Sequence, residues 1–193
     1  MLPAPSADAL AHSQRVAAHL RALIADAGGW IPFSRFMEAV LYAPGLGYYA
    51  AGTMKFGAAG DFVTAPEMTP LFGRTLAHAI APGLAEIGGE VLELGAGSGR
   101  LAADMLGELE RLGALPARYG ILEVSADLRE RQQETIARAL PHLAGRVQWL
   151  DALPVHFNGV ILGNEVLDAL PVELVHWTET GPLVRGVVLE SDA

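Results

Sequence analysis

The sequence predicts an α/β fold in which a doubly wound, mainly parallel sheet follows a helical N-terminal segment. Three observations predict it. After residue 90, short apolar runs alternate with helical stretches, the pattern of successive strand–helix–strand units. The first of those runs opens into "GAGSG" (95–99), three glycines where a strand meets a helix. Before residue 88 the apolar residues recur mainly at helical spacing, broken by one long irregular stretch.

The elements follow in order. The first five residues form a loose, proline-containing tail. Over 6–27, Leu10, Val16, Ala17, Leu20, Leu23, Ile24 and Ala27 recur with roughly helical spacing, Ser6 is placed to cap the helix, and Gly28-Gly29 stops it. A second helix is expected over 34–42, ending before Pro44-Gly45. Residues 45–74 are rich in Gly and Thr and have little periodicity; irregular segments of that length usually bind something. Residues 68–86 read as helix again, with a break or kink at Pro82-Gly83. Then come a buried strand at 91–94 and a helix at 99–112, with Leu101, Met105, Leu109 and Leu112 on one face and Gly113 at its end. A second strand is expected at 119–124. Ser125 can cap the helix that follows, which stops at Pro141. Strands at 147–150 and 159–163 come next. Residues 172–177 and 183–189, split by Thr180-Gly181-Pro182, read as a strand pair. A boundary near Gly88 divides the chain into 1–88 and 89–193.

Composition bounds the function. With 193 residues, 51% of them apolar, the chain can bury a sizeable core. A net charge of −9 argues against nucleic acid as a general partner, because phosphate binding needs clustered Lys and Arg. The absence of cysteine excludes disulfides and thiolate metal sites, and the six histidines show no ligand spacing, so no metal is expected. No basic region precedes an apolar run at the N-terminus, and no stretch is long and apolar enough for a membrane span. The expectation is a soluble protein of the bacterial cytoplasm, with no Arg- and Ser-rich leader before the first helix.

Glycine costs backbone entropy, so Gly95, Gly97 and Gly99 need a reason. A tight strand-to-helix turn would account for them. So would a ligand lying against bare backbone at a helix start, where free N–H groups and the positive dipole end face out. The dinucleotide pattern is G-x-G-x-x-G with pyrophosphate at the helix start. Here the third glycine comes one residue early, and Arg100 stands where that pattern wants glycine. Glu93, inside the strand, would repel pyrophosphate and suits a ligand bearing an ammonium and a sulfonium. Glu123, ending the second strand, can accept both ribose hydroxyls. Asp151 follows the third strand and can meet an adenine amino group. Each acid alone would more often be a solvated strand end. Three acids and three glycines at the carboxyl ends of parallel strands together resemble the S-adenosylmethionine-dependent methyltransferase superfamily. That resemblance implies a Rossmann-like sheet and a cofactor site of Glu93, Gly95, Ala96, Gly97, Gly99, Glu123, Val124, Asp151 and Ala152.

Four stretches are similar to a narrower group, the MidA family: "LYAPGLGYYA" (41–50), "GDFVTAPEMTPLFGR" (60–74), "ILEVSADLRERQ" (121–132) and "GNEVLDALPVELVHW" (163–177). The family includes bacterial proteins and a mitochondrial complex I assembly factor that methylates a protein arginine. The resemblance runs from about residue 10 to the last residue, with Arg74 where the family usually has Glu. It implies S-adenosyl-L-methionine as cofactor, S-adenosyl-L-homocysteine as product, and an arginine-containing protein as substrate. It also implies that the loop holding Asp61, Thr64, Pro66 and Glu67 folds over the cofactor as a lid. Family members usually continue well beyond residue 193, so the α/β part is expected to be incomplete at its C-terminus.

Methyl transfer from a sulfonium needs chiefly orientation and exclusion of water. A guanidinium acceptor is charged and planar, and carboxylates grip it bidentately. Asn164, Glu165 and Asp168 follow the fourth strand, beside the expected methyl position. One turn of helix would put Glu165 and Asp168 on one face. On that reading Glu165, with Asp168, holds the acceptor and Asn164 orients donor or acceptor; otherwise Asp168 caps the next turn and Glu165 faces solvent. Tyr48, Tyr49 and Phe62 are expected as core or as stacking partners of adenine, and Trp149 and Trp177 as core or sheet-edge residues. Two alternatives belong to other classes: a non-catalytic adenosylmethionine-binding assembly factor, and a nicotinamide-dependent oxidoreductase.

Overall fold

A computed structural model describes residues 4–50 and 63–190. The elements in chain order are α1 (Ala7–Asp26), β1 (Trp30–Pro32), α2 (Phe33–Tyr42), α3 (Ala65–Met68), α4 (Pro70–Ile87), β2 (Glu90–Leu94), α5 (Arg100–Arg111), β3 (Tyr119–Leu122), α6 (Ala126–Ala139), β4 (Val147–Leu150), β5 (Gly159–Gly163), β6 (Leu174–Thr178) and β7 (Gly181–Val188). Single 3-10 turns lie at Ala144–Arg146 and Leu167–Ala169. Contacts group residues 53–166 into one unit and residues 1–52 with 167–193 into another.

The 53–166 unit is the α/β part. Its four strands are all parallel, in the order β4-β3-β2-β5. The chain steps outward from β2 to β3 to β4, then crosses back to lay β5 on the other side of β2. That reversal makes the sheet doubly wound and puts a switch point between β2 and β5, beyond whose carboxyl ends ligands bind in open α/β sheets. Val91, Tyr119 and Ile121 from the sheet pack with Ala102, Leu106 and Leu109 of α5, Ala77 and Leu84 of α4, and Ile136 of α6. At Gly73 a side chain would stand 2.8 Å from the Asp104 Cβ, so this glycine lets α4 lie close on α5.

The other unit is built on a three-stranded antiparallel sheet in the order β1-β7-β6. Ser6 caps α1, its hydroxyl accepting from the Ala9 N–H at 3.2 Å. Ile24 of α1 and Ile31 of β1 are buried. The Tyr42 hydroxyl at the end of α2 donates to the Ala169 carbonyl at 2.7 Å, holding the 3-10 turn.

The structure departs from the sequence reading at three points. Pro82 does not break its helix: α4 runs through it. Ala77 and Leu84, one heptad apart, are both buried on the core side, while Pro82 itself is exposed, where water can serve the carbonyl that the ring leaves unpaired. The division near Gly88 does not describe how contacts group: α4 packs on α5 inside the α/β unit, and the terminal strand pair joins β1 instead of the parallel sheet. The strand β1, three residues long, carries no local signal of its own. Among the described residues no helix is long and apolar enough to cross a membrane, and no group of three or more His, Asp or Glu is placed to hold a metal ion.

Candidate active site

The glycine loop is set by backbone conformation first. Gly95, Gly97 and Gly99 have φ of 61°, 55° and 81°, in the left-handed region that other residues enter only at a cost. The Gly95 N–H donates to the Leu122 carbonyl at the end of β3, and the Gly99 N–H to Ala96 within the turn. A side chain at Gly95 would come within 3.2 Å of a Val166 methyl, so the loop after β5 lies directly against it. Ala96 and Ser98 are buried. The Ser98 hydroxyl donates to the Glu67 carboxylate and accepts from the Arg100 N–H at 3.4 Å. The irregular segment singled out in the sequence therefore touches the glycine loop, through the short helix α3. Thr64 is the N-cap residue of α3 and Pro66 is buried in it. Asp61 and Phe62 lie outside the described residues.

Glu93 takes a different place from the one expected. It is 2% exposed, and its carboxylate accepts a hydrogen bond from the Tyr119 hydroxyl at 2.7 Å, which also stands 4.0 Å from the Met105 sulfur. The acid is turned into the core beneath the loop and is not an open counter-charge. Residues two apart on a strand share a face, so Glu93 goes where Val91 goes, onto the packed side. Burial pushes its pKa up to about 7; the Tyr119 hydrogen bond opposes this and the nearby Glu123 charge adds to it. The Tyr119 hydroxyl is pushed up in turn by burial and by Glu93.

Glu123 closes β3 and is 6% exposed. One carboxylate oxygen accepts from the Ser125 N–H at 3.0 Å and the other from the Gln132 side-chain amide at 3.0 Å. Burial raises its pKa, and these hydrogen bonds and the Arg129 charge oppose the rise. The Val124 N–H donates to the Glu123 carboxylate as well, and a carboxylate has about four acceptor sites, so capacity remains for a ligand hydroxyl. Val124 itself is 74% exposed. Asp151, after β4, is open to solvent and paired with Arg129 at 2.8 Å; Ala152 is exposed beside it. Asn164 is half-buried and Glu165 exposed, in a bend after β5.

The turn of helix expected to align Glu165 with Asp168 is absent. Glu165 has φ of 54°, the one described non-glycine residue with positive φ, which no α-helix accommodates. Asp168 lies in the 3-10 turn that groups with the other unit. In that unit Tyr42 and Tyr49 stack with centroids 5.5 Å apart, and Tyr48 meets Tyr49 edge-on. Trp149 is half-buried in the α/β unit with its indole hydrogen-bonded, while Trp177 is a sheet residue 75% exposed.

Two residues of α6 were not singled out in the sequence. Arg129 donates to the carbonyls of Glu123 (2.6 Å) and Leu150 (2.7 Å) besides pairing with Asp151. Gln132 lies one turn further on. A signal for it exists: it shares the inward stripe of α6 with Ile136, four residues on, and a polar residue there must find partners.

The donor set suits a cation with a diol. Carboxylates stand at the ends of β3 and β4, bare backbone bends at the end of β2, and among these residues only Arg129 is basic, already held by Asp151 and two carbonyls.

Comparison with known proteins gives the following. The model of a family described as "Putative S-adenosyl-L-methionine-dependent methyltransferase" matches residues 75–193. A Burkholderia thailandensis protein solved bound to S-adenosyl-homocysteine is 54% identical, with a TM-score of 0.89, over 99% of this chain and 51% of that one. A native structure of an uncharacterized protein from the same organism is 53% identical, with a TM-score of 0.85, over 99% of this chain and 49% of that one. The mouse protein arginine methyltransferase NDUFAF7, mitochondrial, is 31% identical over 89% of this chain and 45% of its own length. The Caenorhabditis elegans homolog is 29% identical over 82% and 43% respectively. The chain thus spans less than half the length of these two curated relatives and about half that of the solved ones.

Proposed function

This chain belongs to the S-adenosyl-L-methionine-dependent methyltransferase family matched over residues 75–193, and from that premise we propose that it binds S-adenosyl-L-methionine at the carboxyl ends of β2, β3 and β4 and transfers its methyl group to an arginine side chain of a protein. The observation that carries the reading is the pairing of a three-glycine left-handed turn with a buried carboxylate, Glu123, on the adjacent strand. The relative 54% identical to this chain holds S-adenosyl-homocysteine, the product of such a transfer. The arginine acceptor draws on the curated relatives, named as protein arginine methyltransferases.

The bound sulfonium supplies an already activated methyl carbon. The work left to the chain is binding and orientation. The glycine loop offers backbone close enough for the ligand to lie against it, and Glu123 accepts the ribose hydroxyls. Asp151 stands at the adenine side. Glu165, exposed after β5, holds the guanidinium and takes the proton that its nitrogen releases once the N–C bond has formed and the C–S bond has broken toward sulfur. Asn164 orients the acceptor through its amide.

Calorimetric titration with S-adenosyl-homocysteine and with NAD tests the binding half. Saturable uptake of the first and none of the second is expected; no uptake of S-adenosyl-homocysteine would refute it. Transfer of radiolabelled methyl to protein from a lysate lacking the gene, mapped to arginine, tests the acceptor. Label on lysine or on a small molecule would refute the arginine reading alone.

A further inference from the structure

Gln132 is completely buried, and three hydrogen bonds account for its carboxamide. Its nitrogen donates to the Gly97 carbonyl at 3.1 Å and to the Glu123 carboxylate at 3.0 Å, and its oxygen accepts from the Trp149 indole at 2.9 Å. The orientation of the amide follows from chemistry. An indole N–H only donates, so the atom facing it is the oxygen; a carbonyl and a carboxylate only accept, so the atom facing them is the nitrogen. One side chain thereby joins the glycine loop, the acid of β3 and the strand β4. The backbone closes on the same point: a side chain at Gly99 would stand 3.0 Å from the Gln132 Cα.

We propose that Gln132 is a positioning residue of this site, setting the spacing between the glycine loop and Glu123, with Trp149 fixing the direction in which its amide faces. The proposal rests on the reading of these strand ends as the adenosyl donor site. A ligand that spans loop and acid depends on their spacing. One that reaches the acid alone depends on it much less. Replacing Gln132 with Met keeps length and bulk but leaves the Gly97 carbonyl and the Trp149 indole without their partner and Glu123 with one donor fewer.

The test is calorimetric titration of the full chain and of Gln132→Met and Trp149→Phe, with S-adenosyl-homocysteine and with adenosine. Gln132→Met is expected to weaken S-adenosyl-homocysteine binding roughly tenfold or more, and adenosine binding by less than about threefold on the same scale. Trp149→Phe removes the indole donor together with part of the ring, and shifts the ratio of the two affinities in the same direction by a smaller factor. Equal weakening of both ligands would make Gln132 a packing residue and overturn the proposal, as would unchanged S-adenosyl-homocysteine affinity. If Gln132→Met does not fold, Trp149→Phe decides by whether its affinity ratio departs from the parent's. Absence of binding by the unsubstituted chain would refute the site reading itself, and the proposal with it.

Discussion

Replacing Glu93 by Gln should raise stability at alkaline pH and lose that advantage in acid. Glu93 is fully buried and its pKa stands at about 7 against an ordinary 4.5. Its folded-state value is raised, so the folded chain holds this proton more tightly than the unfolded chain does. The associated stability is complete below about pH 4.5 and is lost as pH rises to about 7. At about 1.36 kcal/mol per unit the whole loss is about 3 kcal/mol, most of which falls between pH 5 and pH 8. Gln keeps the shape, and its carbonyl oxygen still accepts the Tyr119 hydroxyl, but it never ionises. Any constant cost of its unpaired amide hydrogens shifts the whole curve and leaves the slope. Glu123 and Tyr119 face the same region in both proteins; removing the Glu93 charge also relieves Glu123, which adds to the effect. Thermal unfolding of both proteins at pH 5, 6, 7 and 8 is the assay. The difference in Tm, variant minus parent, should grow by about 5–10 °C from the lowest to the highest pH. A difference constant to about 1 °C across the series would mean that Glu93 carries no raised pKa, and the account of the buried acid would fail.

Three further outcomes are expected. Gly99→Ala places a Cβ 3.0 Å from the Gln132 Cα at φ of 81°, whereas Gly113→Ala meets nothing within 4 Å at φ of 65°; urea unfolding should show the first costing about 2–4 kcal/mol and the second about 1 kcal/mol, and equal costs would contradict the close approach of α6. Glu67→Ala removes the contact with Ser98 and should weaken S-adenosyl-homocysteine severalfold by calorimetry with a Tm change under about 3 °C; unchanged affinity would detach α3 from the site. Glu165→Gly relieves the left-handed strain and should raise stability by about 1 kcal/mol, with S-adenosyl-homocysteine affinity kept and methyl transfer to protein lost; transfer at the parent rate would remove Glu165 from the acceptor site.

What the sequence made legible was local. Ser6 caps α1 because a serine oxygen three residues before a free N–H needs no tertiary context. The strand-loop-helix at 90–111 is readable because apolar run, glycines and amphipathic helix sit side by side in the chain. The β6–β7 pair was readable from the turn signal around Thr180-Gly181-Pro182, although Gly181 and Pro182 already belong to β7 and pair with Thr178 and Trp177. What escaped was set at a distance. β1 is a strand only because β7, more than a hundred and fifty residues later, offers Val187 and Val188 opposite Ile31 and Trp30. The direction of Glu93 follows from which face of β2 meets α5, and periodicity alone does not choose between faces. The spacing of Glu165 and Asp168 suggested one helical face, but a single residue at positive φ cancels that inference, and no propensity marks glutamate for such a position.

The early third glycine carries less about the ligand than it first suggests. In the sequence, G-x-G-x-G and Arg100 both argued against a dinucleotide, on the ground that helix packing wants glycine one place later. In the structure Arg100 is exposed, reaching toward Asp104 at 3.6 Å, and obstructs nothing. Gly99 is instead the residue on which α6 closes, through Gln132. The glycine spacing is therefore a packing requirement of α6 against the loop, and it would hold whatever lay outside. What weighs toward a cationic adenosyl ligand is the acidity of the strand ends: Asp151 is open and Arg129 is already committed to it and to two carbonyls, whereas Glu123 marks a ribose diol that both ligands carry. A pyrophosphate here would face carboxylates at the ends of β3 and β4, whereas a sulfonium with an ammonium meets the opposite charge. The glycines thus decide how closely a ligand can approach and leave its identity to the groups around them.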